Sequence, residues 1–494
     1  MAAHAAERPD ATAMVAGPRR LSYAALDRLV DRAASGFQRR GLEPGDVVAL
    51  LGVPAIEHLA LHLGALRAGL AVAPLADWLT RDALVRMLDD AGAKLLLTDA
   101  AGAGRLAPMP STLEYDVLTE SGGREPLEVW SAISDAPAPV SIAPDQAFNI
   151  IYTSGTTETP RGIVVSHAMR WHQSVRREPL GDDAVLLIST PLYASATIIN
   201  AFMGLAFGAA VVVLERFDPA RFLAVAERER ATQAMLAPVQ YRRVLGRPEF
   251  DDADLSSFRL KTCTSAPCPP ALAGEILRRW PGAFIQYYGL SEGGPSCVLR
   301  AHERPDKLHT VGLPAPNCDI RILGEGGTEL AAGAVGEVVG RSPWMMSAYH
   351  GQPEKTAQAE WFDPGGARFI RSGDLGYFDP DGFLVLVDRA KDLIITGGLN
   401  VYPSDLEAVL SQHGGVEEAA VVGQQSDQFG ERPVAFVTPR SGHLLDDRAL
   451  LTWANSRLGK AQRLSSVRIV AQLPRSPVGK VLKRELRAQL VQSA

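Results

Sequence analysis

The sequence predicts an α/β protein of more than one domain, and three observations carry that expectation. Helical and strand patterns alternate through the first hundred residues and resume beyond residue 162, as in parallel sheets covered by helices. At 494 residues the chain is long for one hydrophobic core, so two or more domains are expected. An apolar run at Asn149–Tyr152 enters a loop rich in glycine and hydroxyl groups, the strand-then-loop order in which many α/β proteins hold phosphate.

Composition narrows the function classes. With 46% hydrophobic and 21% charged residues the chain reads as an ordinary soluble globular protein. A net charge of −6 gives no reason to expect nucleic acid or an anionic membrane as partner. Cys263, Cys268, Cys297 and Cys318 lack zinc-type spacing and are too few for a disulfide scaffold, so a reducing, cytoplasmic location is expected. The N-terminus shows no basic head followed by an apolar core, and no signal peptide is expected. Ala196–Leu214 is nearly all apolar, but Asn200, Gly204 and Gly208 interrupt it and its end is strand-like. A buried helix, a turn and a strand are predicted there, not a membrane span.

Taken in order, Tyr23, Leu26, Leu29, Val30, Ala33 and Phe37 recur at helical spacing and stop at Gly41, before a strand over Val47–Leu51. The cycle repeats with a helix over Ile56–Ala68, a strand over Leu70–Ala73, a helix over Arg81–Ala91 and a strand over Lys94–Leu97. His58 and His62 lie four apart on one of these helices with no third ligand nearby, so a solvated helix face is expected, not a metal site. From Gly102 to Gln146 periodicity fades and prolines accumulate, which predicts a wandering surface connection.

The loop after this connection reads Tyr-Thr-Ser-Gly-Thr-Thr-Glu-Thr-Pro-Arg-Gly from Tyr152 to Gly162. Small residues let backbone N–H groups approach anionic oxygens, the hydroxyls of Thr153, Ser154, Thr156 and Thr157 add donors beside Gly155, and Arg161 adds a cation. It is not a Walker loop, because GxxxxGK[ST] is absent. The stretch resembles the signature loop of the adenylate-forming superfamily, which includes acyl-CoA synthetases, aryl acid ligases, luciferases and peptide-synthetase adenylation domains. The usual form there is Tyr-Thr-Ser-Gly-Thr-Thr-Gly-x-Pro-Lys-Gly. Glu158 replaces a glycine and Arg161 replaces the lysine; arginine keeps the charge and grips phosphate in a bidentate way.

Further segments match that family in its order. Pro191-Leu192-Tyr193-Ala194 follows a strand over Ala184–Ser189 and corresponds to the start of the helix that lines the carboxylic acid pocket. Peptide-synthetase domains place an Asp where this chain has Ala194, so an α-amino acid substrate is not expected; Tyr193, Ala194, Val239 and Gly289 are the pocket candidates. Thr264-Ser265-Ala266-Pro267 precedes a helix and then Tyr287-Tyr288-Gly289-Leu290-Ser291-Glu292. A tyrosine face stacks on a purine, glycine permits close backbone approach, and Ser and Glu oxygens suit Mg²⁺. This is similar to the family's Tyr-Gly-x-Thr-Glu motif. The resemblance implies that Tyr288 stacks on adenine, that Ser291 meets the α-phosphate and that Glu292 binds magnesium, with Ser265, Ala266 and Pro267 completing the nucleotide site.

From Gly312 to Tyr377 short β-like runs alternate with glycine and proline. Asp374, framed by Gly373 and Gly376, resembles the family's ribose-binding Asp, and Arg389 its ribose and phosphate arginine. Lys391 matches the family's hinge, and Gly397 and Gly398 match the pair that the pantetheine arm passes. Helices near Pro403–Ser411 and Asp446–Leu458 and strands over Glu418–Val422 and Val434–Val437 predict a small α+β unit. It ends in Pro-Arg-Ser-Pro-Val-Gly-Lys, which makes Lys480 the resemblance's catalytic lysine. Upstream, Leu458–Arg463 lacks the family's Tyr-Lys-x-Pro pattern, and no carrier-protein domain is expected after Lys480.

The resemblance covers about Leu21 to Arg487. It implies a large N-terminal adenylation domain, residues 1–390, of two α/β subdomains and a small β-barrel. A small mobile α+β domain, residues 391–494, then carries Lys480. The function it implies is activation of an apolar monocarboxylic acid, aryl or aliphatic, with ATP and Mg²⁺, followed by transfer to coenzyme A. Loading of a carrier protein, a luciferase-like oxidation and a nucleotide-binding regulator with degraded catalysis remain as alternatives, the last because of Glu158.

Overall fold

The computed structural model describes residues 1–53, 55–119, 126–130, 136–152, 161–175, 181, 183–396, 399–426, 430–459, 462–476 and 479–491. Two compact units divide the chain. The first holds Met1–Leu308, Pro314–Asp319 and Gly340–Ile370; the second holds His309–Leu313, Ile320–Val339 and Arg371–Ala494. Among the described residues no helix is long and apolar enough to cross a membrane.

The first unit is built on two sheets. In the nine-stranded sheet the strands Ala283–Gly289, Leu260–Cys263, Gln233–Leu236, Val185–Ile188, Ala210–Val213 and Thr12–Ala16 lie side by side in that order, all parallel. The seven-stranded sheet runs Ala348–Tyr349, Gly162–Ser166, Ala147–Tyr152, Ala71–Leu75, Val47–Leu51, Ala93–Thr98, Glu114–Val117. Strands buried on both faces are continuous apolar runs, and Val47–Leu51 and Ala71–Leu75 are buried at every position. The helix Tyr23–Arg39 forms where the periodic apolar stripe begins. Ser22 caps it by accepting from the Ala25 N–H at 3.2 Å, and Tyr23, Leu26, Val30, Ala33 and Phe37 enter the core, a cap contributing about 1 kcal/mol. The apolar run at Ala196–Leu214 forms the buried helix Ser195–Ala206 and the strand Ala210–Val213, as expected.

Two expectations are corrected. His58 and His62 do not face solvent: both are buried in the helix Ala55–Arg67, whose every side is covered. A helix apolar all round is a core helix, and Leu59, Ala60, Leu61, Gly64, Ala65 and Leu66 make it so. Burial lowers the His58 imidazole to about 4 and holds His62 well below its usual range, so the Asn149 amide donates to a neutral His62 Nε2 at 2.7 Å. The stretch Gly102–Gln146 is not wholly irregular, since Glu114–Val117 adds a parallel edge strand to Ala93–Thr98. Its residues stay largely exposed, which hides the apolar signal.

The strands Asp319–Leu323, Gly336–Arg341 and Arg368–Phe378, each for the most part in the second unit, contribute to a five-stranded sheet, and Leu384–Arg389 pairs antiparallel with the last of these. Downstream, Val416–Ser426 and Gly430–Pro439 form a long antiparallel pair, and Ser466–Ile469 joins parallel to the second strand. Their two faces carry separate cores, Leu406, Leu410, Val421, Ala435, Leu450 and Val467 on one and Val422, Val434, Phe436, Leu486 and Leu490 on the other.

Candidate active site

Parallel strands end on one side of their sheet, and the residues after each strand are brought together there. Four neighbouring strands of the nine-stranded sheet do this here. Val185–Ile188 leads to Tyr193 and Ala194, Gln233–Leu236 to Val239, Leu260–Cys263 to Ser265, Ala266 and Pro267, and Ala283–Gly289 carries Tyr288 and Gly289 and leads to Ser291 and Glu292. With strands about 4.8 Å apart, the row spans roughly 15 Å, the length of a nucleotide joined to a small acyl group. Tyr288, Ser291 and Glu292 are half-buried and Ser265, Pro267 and Gly289 are exposed, so the row opens outward. Ser265 adopts φ +76°, a strained left-handed conformation. The Thr264 hydroxyl before it donates to Tyr287 O at 3.1 Å, tying the ends of these two neighbouring strands together.

The loop of hydroxyls lies outside the described residues, so Thr153, Ser154, Gly155, Thr156, Thr157 and Glu158 are known by their flanks alone. The flanks are fixed. Tyr152 pairs with Gly162 across two antiparallel strands, and the Tyr152 phenol donates to Asp90 Oδ2 at 2.7 Å. A Cβ on Gly162 would lie 2.7 Å from Ile150 Cγ2, so the loop exits where only glycine fits. Arg161, the last residue before this exit, is exposed.

Glu292 is held by backbone and side chain alike. Its carbonyl accepts from the Met346 N–H at 2.7 Å, and Oε1 accepts from the Tyr349 phenol at 2.9 Å. The next residue, Gly293, has φ +74°, and a Cβ there would overlap the Trp344 carbonyl oxygen. Among the described residues no three His, Cys, Asp or Glu side chains are gathered as a metal cage. A single carboxylate with a neighbouring hydroxyl suits Mg²⁺, which completes its shell with phosphate oxygens and water.

Two side chains that the sequence does not single out join these residues. Tyr349 is one; the other is Trp78, whose indole N–H donates to the Tyr193 phenol at 3.0 Å. Ser195, just after the pocket candidates, accepts at 3.4 Å from buried Arg170, which also donates to Asn149 Oδ1 at 3.0 Å. A buried polar chain thus runs from the strand Ala147–Tyr152 to the first turn of the helix Ser195–Ala206.

The second unit brings together another set. Asp374 and Arg389 are direct partners across antiparallel strands, and Asp374 is buried. Lys480 stands at the end of a turn anchored by Arg475, whose guanidinium pairs with both Glu418 oxygens at 2.7 Å and donates to Gly479 O at 2.6 Å. The Lys480 amine is pushed down to about 8, by burial first and then by Arg389 and Lys391, with Asp374 and Asp392 opposing them. Lys391 itself is exposed, and Gly397 and Gly398 lie outside the described residues.

Known proteins resemble this chain along nearly its whole length. Residues 1–350 match the AMP-binding enzyme family, and residues 405–480 match the AMP-binding enzyme C-terminal domain. The chain belongs to the AMP-binding enzyme family. Feruloyl-CoA synthase from Amycolatopsis sp. is 34% identical to this AMP-binding enzyme over 97% of this chain and 96% of its own. Indoleacetate–CoA ligase from Aromatoleum aromaticum is 32% identical over 99% of this chain and 96% of its own. The crystal structure of ATP-bound MatB from Rhodopseudomonas palustris superimposes with a TM-score of 0.89 at 29% identity, covering 98% of this chain and 96% of that one. The expected adenylate-forming, acid–CoA ligase type and the large and small α/β domains are borne out.

Proposed function

We propose that this AMP-binding enzyme joins an apolar aryl monocarboxylic acid to coenzyme A at the expense of MgATP. In the first half-reaction a carboxylate oxygen attacks the α-phosphorus of ATP, the bond to the β-phosphate oxygen breaks, and an acyl-adenylate and pyrophosphate result. Charge builds on the phosphoryl oxygens, and fixed cations and donors offset it. Lys480, Arg161 and the hydroxyls from Thr153 to Thr157 supply that charge and those donors. Glu292 would hold the magnesium ion, which supplies further positive charge at the phosphates when bound. Asp374 and Arg389 take the ribose, Tyr288 the adenine, and Tyr193, Ala194 and Val239 the acyl group. In the second half-reaction the CoA thiolate attacks the acyl carbon and AMP leaves. Lys391 serves as the pivot between the two steps, and Gly397 and Gly398 leave room for the pantetheine arm.

The observation that carries this reading is the row of four neighbouring strand ends, which sets Tyr193 and Ala194, Val239, Ser265 to Pro267 and Tyr288 to Glu292 side by side. The two aryl acid–CoA ligases among the relatives support an aryl acid, and Ala194 removes the counter-charge that an α-ammonium group needs. The test is pyrophosphate release with MgATP over a panel of aryl, branched and linear acids, each with and without CoA. Release that depends on one aryl acid and rises with CoA is expected. ATP binding without release for any acid would move the reading to a nucleotide-binding regulator, with Glu158 as the cause.

A further inference from the structure

We propose that Tyr349 is a positioning residue, whose phenol holds the Glu292 carboxylate and the Arg161 guanidinium in one arrangement and so couples the metal ligand to the phosphate loop. The inference rests on the proposed role of Glu292 as the magnesium ligand.

The link begins in the backbone. Ala348–Tyr349 pairs antiparallel with the strand that leaves the phosphate loop, Tyr349 opposite Ile163. The His350 N–H donates to Gly162 O at 2.7 Å and the Ser347 N–H to Val164 O at 3.0 Å. The same segment grips the Glu292 carbonyl through the Met346 N–H at 2.7 Å. One short stretch, residues 346–350, therefore ties the loop's exit to the metal ligand's main chain. Tyr349 is fixed further by its own N–H, which donates to Thr356 Oγ1 at 3.0 Å.

The side chain then repeats the link. The Tyr349 ring is buried, and its hydroxyl donates to Glu292 Oε1 at 2.9 Å. The Arg161 guanidinium faces the same ring, Cζ 6.0 Å from its centre, a cation–π contact. A hydroxyl has one proton to give; here it goes to the carboxylate, while the face of the ring meets the guanidinium. One carboxylate oxygen is occupied, which leaves the other for a cation and fixes its direction. A tyrosine that merely packed the core would need the ring and not the hydroxyl.

The test is calorimetric ATP binding, measured in Mg²⁺ and again in EDTA, for the intact chain and for Tyr349→Phe, Glu292→Asp and the double variant. Phenylalanine keeps the packed ring, and thermal unfolding of each sample checks the fold. Loss of one hydrogen bond to a charged group predicts that Y349F weakens MgATP binding about tenfold while changing ATP binding in EDTA by less than about twofold. E292D, which draws the carboxylate back from the phenol, is the second variant and should show the same selective loss. The double variant should be no weaker than the weaker single one. Equal weakening by Y349F in Mg²⁺ and EDTA, or none in either, overturns the positioning role. If E292D leaves the Mg²⁺ preference intact, the reading of Glu292 fails instead.

Discussion

Arg389 Nε lies 2.6 Å from Asp374 Oδ1, between residues that face each other directly across two antiparallel strands. The pair presents a carboxylate and a guanidinium side by side, the complement of a ribose with its phosphate. The amide of Asp374 also donates to the Ser372 hydroxyl at 3.0 Å, which fixes the carboxylate's approach. Asp374→Asn keeps the shape and removes the charge. Losing charge-assisted hydrogen bonds at about 1.5–3 kcal/mol each should raise the KM for ATP between roughly 10- and 100-fold. The KM for the acid should stay within about twofold. Initial rates of pyrophosphate release at varied ATP and varied acid check both.

Lys480 gives a pH-dependent prediction. Its amine is pushed down to about 8 by burial, then by Arg389 and Lys391. The proposed role needs the charged form, which predominates below that value. Adenylation should be flat below about pH 8 and fall about tenfold per unit above it in kcat/KM, which reports the free enzyme. Lys480→Ala should slow adenylation by about 10² or more, as loss of a charge-stabilising donor does, and abolish this alkaline limb. Thioester formation from a supplied acyl-adenylate should be largely spared. Single-turnover assays of the two half-reactions across pH separate these outcomes; equal loss in both would contradict the division of roles.

Lys261 predicts a stability effect away from the chemistry. It is fully buried on the strand Leu260–Cys263, and its ammonium donates to Trp280 O, Pro281 O and Gly282 O at 3.0, 2.6 and 2.6 Å. Those carbonyls belong to the turn between the helix Pro270–Arg279 and the strand Ala283–Gly289, and the ammonium draws all three together. Lys261→Met keeps most of the volume and strands three acceptors. A loss of about 2–4 kcal/mol is expected, lowering the thermal midpoint by roughly 3–6 °C in a unit of this size, with KM values near those of the unaltered protein. An unchanged midpoint would show that water takes over the carbonyls.

The range of the forces involved decides how much of the fold and site is legible in the sequence. The strand ends at Tyr193, Ser265 and Tyr288–Glu292 are readable because glycine, proline and hydroxyl groups punctuate a chain locally. Tyr349 and Trp78 are not, because their partners Glu292 and Tyr193 lie 57 and 115 residues away and no local pattern marks them. His58 and His62 mislead because their four-residue spacing and polarity suggest a solvated face. The clue to their burial is the apolar character of every other face of that helix. The edge strand Glu114–Val117 escapes a sequence reading because it is half solvated, and Glu114, Tyr115 and Asp116 make no apolar run.

Trp78 supplies the last prediction. It comes from the loop after Ala71–Leu75 in the seven-stranded sheet, while Tyr193 comes after a strand of the nine-stranded one, so their 3.0 Å hydrogen bond joins the two sheets at the proposed acid site. Trp78 remains 39% exposed, as a rim residue would and a core residue would not. An indole beside a phenol offers an aryl substrate two faces to pack on, each worth about 0.5–1.5 kcal/mol beyond buried area. Trp78→Ala should therefore raise the KM for aryl acids about 5- to 20-fold and leave the KM for ATP within about twofold. Trp78→Phe separates the two contributions, since it keeps a ring and loses the N–H: recovery of most of the affinity assigns the effect to stacking, and no recovery assigns it to the hold on Tyr193. Aryl acid KM values unchanged in Trp78→Ala would remove Trp78 from the acid site and shift the aryl preference to Tyr193 and Val239 alone.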